Sequence, residues 1–360
     1  MSGDSTIRMI EAYDSMRPAQ RFLTSMFQTP ARNFHSSEQV EVDITRSDES
    51  ISIPVTDLSV GPRHVSQDLY TNKRFTPPIH NEDYHIPAYK LMNRREGMNP
   101  FEDPDFLANA RFEALKGAAK MEDRIRRSIE LQASQIFQEG KVDLLNRDGV
   151  AVYSIDFKPK ASHFFDAAAG WTGATAAQII NDLNNAAEAI RDDSLEDPDM
   201  LIFGSSAFEA FINNAGIKDR LDTRRIDVGN IQPMAPVGGQ GGQFRGTIDV
   251  GNYKFDIWTY NGKYTNPENG VTTTYVGKDN VIMRSSTGRL DATYGDIPYF
   301  AFPGDPVAQL NLPTRISQGV DIHMMVWATP NRRNLFVETA SRPLLIPTAI
   351  DTIARINTAP

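Results

Sequence analysis

The longest regular stretch of apolar positions in this chain is helical. Between residues 104 and 139, Leu107, Ala110, Ala114, Ala118, Met121, Ile125, Ile129 and Ile136 recur at steps of three, four and seven, one face of a 3.6-residue helix. Asp103-Pro104 supplies an N-cap followed by proline at the first helical position, where the missing N–H costs nothing. Gly140 supplies the stop. At 1.5 Å per residue the predicted rod is ~54 Å long, about three times the average globular helix. Such a rod reads as a mechanical spine.

The pattern before the spine is different. Residues 1–35 predict a weak amphipathic helix and then an arm, in which Phe22, Leu23, Met26, Phe27 and Phe34 concentrate bulky groups with little adjacent sequence to pack against. Either they join the core of their own subunit, or they dock on a neighbour as exposed aromatic anchors do. On the docking reading, removing residues 1–35 leaves a folded subunit that cannot close a larger assembly. From 40 to 99 the chain reads as extended. Val40, Val42 and Ile44 alternate, as do Ile51, Ile53 and Val55. Pro54, Pro62, Pro77, Pro78 and Pro87 exclude helix and the middle of a sheet. Extensions of about sixty residues without a core of their own usually serve contact with a partner.

After the spine, 142–145 and 150–157 flank Arg147-Asp148-Gly149, a predicted hairpin. A second helix is predicted from about Thr175 to Arg191, with Ile179, Ile180, Leu183, Ala187 and Ile190 on one face. A fully apolar strand follows at 200–203, and Ser205 is predicted to cap a short helix carrying Phe208, Phe211 and Ile212. Strands and turns alternate through 247–260 and 272–283, and 320–328 and 335–356 are again strand-like. The chain reads as α+β, with no internal repeat.

Composition narrows the function. At 360 residues the chain can bury a sizeable core in two or three units. A formal charge of −9 argues against a nucleic-acid reader, which needs concentrated positive charge. It is compatible with a wall that encloses nucleic acid and leaves the polymer free to move. The absence of cysteine excludes disulfides, cysteine-ligated zinc and cysteine nucleophiles. Asp4, Arg8, Glu11, Asp14 and Arg17 leave no apolar core of signal-peptide length, and no run approaches ~18 apolar residues, so no membrane partner is expected.

The candidate chemistry dissolves on inspection. Gly238-Gly239-Gln240-Gly241-Gly242 follows Pro233 and Pro236, precedes a strand-like run and lacks a Gly-Lys-Ser/Thr ending, so it reads as a surface loop. His80 and His85, with Glu82 and Asp83 between them, are five apart among prolines, which does not align two imidazoles on a helix; a solvated loop is expected. The run Asp192, Asp193, Glu196, Asp197 and Asp199 lacks calcium-loop spacing. Gly204-Ser205-Ser206 lacks the Gly-x-Ser-x-Gly pattern of a nucleophile elbow. Basic pairs such as Lys73-Arg74, Arg94-Arg95, Arg224-Arg225 and Arg332-Arg333 are dispersed. No catalytic, metal or cofactor site is expected, and the chain does not read as an enzyme.

The order of parts, from aromatic arm through extended loop, spine, hairpin and α/β unit to final strands, resembles the major capsid proteins of tailed bacteriophages, which share the Hong Kong 97 fold. It is most similar to the family of the phage lambda major capsid protein. The stretches that carry this are Phe22-Leu23-Thr24-Ser25-Met26-Phe27, the Asp103-Pro104 opening of an arginine-studded helix, and Val152-Tyr153-Ser154-Ile155-Asp156. Lys218-Asp219-Arg220-Leu221-Asp222-Thr223-Arg224-Arg225 and Ser341-Arg342-Pro343-Leu344-Leu345 complete the set.

The resemblance implies an N-terminal arm at 1–45, an extended loop at 46–100, and the spine helix and hairpin of a peripheral domain at 101–160. It further implies a mainly axial domain at 161–335 and a strand region at 336–360 returning to either domain. It implies a subunit that assembles as hexamers and pentamers into an icosahedral head in the host bacterial cytoplasm. The implied partners are a portal protein, scaffolding and decoration proteins, and packaged double-stranded DNA bound without sequence specificity. Some proteins of this fold crosslink through a lysine–asparagine bond; no such set maps here, and no covalent chemistry is expected. No scaffold-like domain is expected ahead of the arm. The alternative is a non-viral nanocompartment shell of the same fold. The residues expected between subunits are Phe22, Phe27, Phe34, Ile51, Ile53, Leu58, Tyr70, Arg94, Arg95, Arg224 and Arg225.

Overall fold

The computed structural model describes residues 19–35, 40–45, 70–92, 106–145, 151–218, 221–222, 241–266, 270–297, 320–329 and 333–359. Two 3-10 turns, Thr24–Met26 and Ala31–Asn33, carry the arm. Strand β1 (Val40–Thr45) pairs antiparallel with β2 (Tyr70–Phe75), which makes a two-stranded ribbon of the extended segment. Strand β3 (His80–Pro87) runs into a short helix α1 (Ala88–Leu91). The spine is α2 (Phe106–Glu139), 34 residues and ~51 Å long; Asp103-Pro104 lies outside the described residues. Gly140 ends it at φ +65°, a left-handed conformation that favours glycine. Strands β4 (Lys141–Leu145) and β5 (Ala151–Asp156) form the expected hairpin.

The second half of the chain builds a larger layer. After β6 (Phe164–Asp166), α3 (Ala176–Ser194) opens with a capping box, in which Thr175 and Gln178 exchange side-chain and backbone hydrogen bonds. Strand β7 (Met200–Phe203), α4 (Ser205–Asn213), α5 (Ala215–Lys218) and β8 (Leu221–Asp222) follow. The expected run at 247–260 is two antiparallel strands, β9 (Gly242–Asp249) and β10 (Lys254–Tyr260). Strands β11 (Lys263–Thr265), β12 (Thr272–Thr274), β13 (Asn280–Arg284) and β14 (Asp291–Tyr294) come next. The last four are β15 (His323–Ala328), β16 (Asn334–Ser341), β17 (Pro343–Ile346) and β18 (Ile353–Asn357).

Seven strands make one mixed sheet in the order β6-β18-β13-β7-β10-β9-β8. Strand β7 is apolar throughout because both its faces are covered. Leu201 and Phe203 join Ile179, Leu183 and Ile190 of α3 on one side; Ile202 joins Ile125, Ile129, Ile136 and Phe137 of α2 on the other. The first half of α2 leaves this sheet and packs Ala110, Ala114, Ala118 and Met121 on Ile86, Val326 and Val337 of a three-stranded sheet, β15-β16-β3. One rod therefore belongs to two cores.

Three expectations are corrected. His80 and His85 lie on a strand, in register with Ser341 and Phe336, because the prolines at 77, 78 and 87 bracket the segment instead of interrupting it. Gly204 occupies the N-cap of α4, and Ser205 is the first helical residue with no capping hydrogen bond from the Gly204 side. Leu107 is 53% exposed, since the core under the spine ends at Ala110.

Candidate functional site

The arm meets the spine at a buried carboxylate. Glu130 sits inside the apolar run of α2 and is fully buried. It accepts hydrogen bonds from the Leu23 N–H (2.8 Å), the Thr24 N–H (2.9 Å) and the Thr24 hydroxyl (2.5 Å). Burial pushes the Glu130 carboxyl above its ordinary range, and these hydrogen bonds partly pull it back. Burial, and then the Glu130 charge, push the neighbouring Tyr260 phenol far up.

Around this point Phe22 lies 5.6 Å from Trp258 and 5.2 Å from Tyr260, ring to ring. Gly242 makes room for it, because a Cβ there would fall 2.2 Å from Phe22 Cε2. Phe27 meets Phe137 edge-on at 5.7 Å. The arm then runs beside β14: Gln28 N–H donates to Leu290 O and Ala292 N–H donates to Gln28 O, both at 2.8 Å. Phe34 stacks on Tyr294 at 5.3 Å.

This geometry sorts the residues expected between subunits. Phe22 and Phe27 are 1% and 7% exposed within their own chain, which corrects the expectation for both: their surface is already covered by Trp258, Tyr260 and Phe137. Phe34 is half-buried. Tyr70 begins β2 opposite Thr45. Ile51, Ile53, Leu58, Arg94, Arg95, Arg224 and Arg225 lie outside the described residues. Sequence reasoning missed Glu130, although an acidic residue between Ile129 and Ala133 on an apolar stripe was a readable signal. It also missed an exposed apolar group at the start of the spine, where Tyr89 and Met92 are 74% and 72% exposed.

Charged groups elsewhere are compensated locally. Arg126 pairs with Asp321 at 2.5 Å and Glu122 at 3.2 Å. A groove of about 610 Å³ between α2, β3, β4 and β11 is lined by Arg124, Lys141, Glu82 and Asp143 among others. Within it Arg124 meets Glu82 at 3.1 Å and Lys141 meets Asp143 at 2.6 Å, so no single sign of charge is left to draw in a ligand. Among the described residues no group of three or more His, Asp or Glu could hold a metal ion. Nor is any described helix long and apolar enough to cross a membrane.

An arm strapped along a long spine, a spine shared by two sheets, a following hairpin and a two-stranded ribbon define the Hong Kong 97-type capsid fold. A crystal structure assigned to the capsid protein of a prophage of E. coli CFT073 matches with a TM-score of 0.67 at 15% identity, over 95% of this chain and 94% of that one. The capsid of Ralstonia phage GP4 matches at 0.51 and 10% identity, over 100% and 94%. A phage-related protein from Bordetella bronchiseptica RB50 matches at 0.50 and 9%, over 96% and 94%. The chain belongs to the phage major capsid protein E family, whose model matches residues 5–358. It is a structural protein of the virion, a major capsid protein whose copies assemble into the shell of a tailed-phage head. None of the curated proteins compared matches it.

Proposed function

We propose that this chain closes an icosahedral head from hexamers and pentamers around double-stranded DNA, with a portal protein at its opening and scaffolding and decoration proteins as further partners. Assembly takes place in the host bacterial cytoplasm, and the chain works as a wall without catalysis. Its charge of −9 suits a wall that does not hold the polymer it encloses. Residues 1–45 act as the arm and 46–100 as a loop reaching over a neighbour. The spine with its hairpin (101–160) acts as the peripheral domain, and most of 161–335 as the axial domain.

One observation carries this reading. Among the described residues the β1–β2 ribbon joins neither the seven-stranded nor the three-stranded sheet. A lone two-stranded ribbon is marginal in water. A neighbouring copy supplies the missing support, through Ile51, Ile53, Leu58 and Tyr70 of the loop and through Phe34. Arg94, Arg95, Arg224 and Arg225 pair with acidic groups across the boundary, setting orientation more than affinity. Cryo-electron microscopy of particles purified from phage-infected cells tests this: density for the loop over an adjacent subunit, around nuclease-protected DNA, is expected. Particles filled with protein cargo, or a loop folded back on its own subunit, would overturn it.

A further inference from the structure

The three-stranded sheet ends at β15, whose far side pairs with no strand among the described residues. Beyond its end the Thr329 N–H donates to Asn334 O at 3.0 Å, in the same register as β15 on β16. In an antiparallel pair such bonds recur at every second residue, so Trp327, Met325 and His323 bond to β16. Met324, Val326 and Ala328 therefore turn their N–H and C=O groups to the open side, where none of them has a partner among the described residues. Such edges are normally guarded by charge, proline or shortness. The opposite edge of this sheet is guarded, since β3 carries Glu82 and Asp83 and ends at Pro87. The seven-stranded sheet ends in β6 and β8, of three and two residues. Strand β15 has six residues and neither charge nor proline. On its outer face Trp327, 39% exposed, stacks on Phe336 at 4.4 Å, and Phe336 stacks on His85 at 4.9 Å. This row of rings stops at the open edge.

Charge selects the occupant. The ribbon strands would bring Glu41, Asp43, Lys73 and Arg74 to this edge, whereas a second β15 brings no charge. We propose that β15 pairs antiparallel with β15 of a second copy across a two-fold axis at Val326, joining two three-stranded sheets into one of six. The proposal rests on the shell-forming reading and names one of its contacts; a two-fold contact uses the same patch twice. In this register Val326 faces Val326 and Met324 faces Ala328, so every outward N–H meets an outward C=O. Moving the axis to Met325 or Trp327 leaves Ala328 or Met324 without such a partner. Met325 then stands directly opposite Trp327 of the second copy, sulfur against ring, and continues the row. The two α2 helices, each packed on Ile86, Val326 and Val337, stay about three strand spacings apart. That is ~14 Å, against the ~8–10 Å of packed helices, so both fit on one face.

The chain has no cysteine, so any disulfide is an introduced one. Isotopically light Met325→Cys chains are mixed with heavy Trp327→Cys chains, assembled into shells, oxidised mildly and read by mass spectrometry. Both side chains lie on the sheet face away from α2, so the core is spared. Directly opposite positions are ~4.5–5.5 Å apart and diagonal ones ~7–8 Å. Linkage of position 325 to position 327 between labels is expected to form several-fold faster than 325 to 325 or 327 to 327. Equal rates, or no linkage in particles that do form, would overturn the proposal and leave the shell-forming reading standing. Linkage between free subunits of a chain that never forms particles would overturn the shell-forming reading and support the pairing. Hydrogen exchange on the unaltered chain is the second measurement. The Met324, Val326 and Ala328 amides should exchange ~10-fold or more slowly in shells than in unassembled subunits. Full protection in unassembled subunits, or none in shells, would also overturn the proposal.

Discussion

Removing residues 1–35 should cost the subunit its fold. The deletion takes away Phe22, Leu23 and Phe27, which are 1%, 0% and 7% exposed. At ~1.5–3 kcal/mol for each fully buried side chain, the lost burial is about 5–9 kcal/mol, an upper estimate because unfolded chains already bury some surface. The deletion also strips Glu130 of the Leu23 and Thr24 donors and leaves a buried carboxylate without them. A domain's whole stability is ~5–15 kcal/mol, so the loss is of the same size as the total. This reverses the expectation that a subunit lacking residues 1–35 remains folded. Urea unfolding of unassembled subunits, followed by near-ultraviolet circular dichroism, is the assay. Deletion of 1–35 is expected to abolish the cooperative transition, while Phe22→Ala keeps it but lowers stability by ~3–5 kcal/mol. Deletion of 1–18 spares every one of these core contacts and should retain a cooperative transition. A 1–35 deletion whose midpoint and slope match the intact chain would refute the reasoning.

Three further outcomes are expected. Glu130→Ala should destabilise by ~2–4 kcal/mol, because the buried Leu23 N–H loses its acceptor; since the folded carboxyl titrates above its ordinary range, the deficit in urea unfolding should shrink as pH rises through that folded value. His80 has its Nε2 shielded from solvent and is held by burial at about 4, against 6.5 when unfolded. Its neutral ring therefore contributes stability above pH 6.5 that is lost as pH falls towards 4, and His80→Gln should flatten that part of the stability–pH curve. Gln132 is fully buried on α2 with neither side-chain polar atom hydrogen-bonded within the described residues. Gln132→Met should raise stability by ~1–3 kcal/mol in thermal unfolding, and a lower midpoint would mean that the amide has a partner in the folded subunit.

What was legible in the sequence were the elements whose cause is local. The spine follows from a periodic face and a terminal glycine, and the hairpin after it from two apolar runs around Asp-Gly. Both depend on residues within a turn or two of each other. The strand at His80–Pro87 was hidden because its prolines stand at its edges, and only pairing with a segment some 250 residues later reveals it. Strand order was equally out of reach: β18, near the C-terminus, sits between β6 and β13, and no local pattern encodes that. The fate of the arm was open for a related reason. Periodicity shows that a segment needs cover, but not whether the cover comes from its own chain.

That distinction bears on how such a shell can close. The aromatic arm residues Phe22 and Phe27 contribute to folding the subunit, so they are not available to drive association. Association must then draw on surface that folding leaves exposed. The ribbon β1–β2 stands outside the two large sheets, and Tyr89 and Met92 remain exposed at the head of the spine. Any one such contact yields little once side-chain ordering is subtracted. A closed shell gains from that modesty. A weak contact formed wrongly dissociates before the next subunit arrives, whereas a complete ring of weak contacts holds every member several times over. The spine makes this workable, because a helix fixed in two cores keeps the two large sheets at constant separation while the lattice forms.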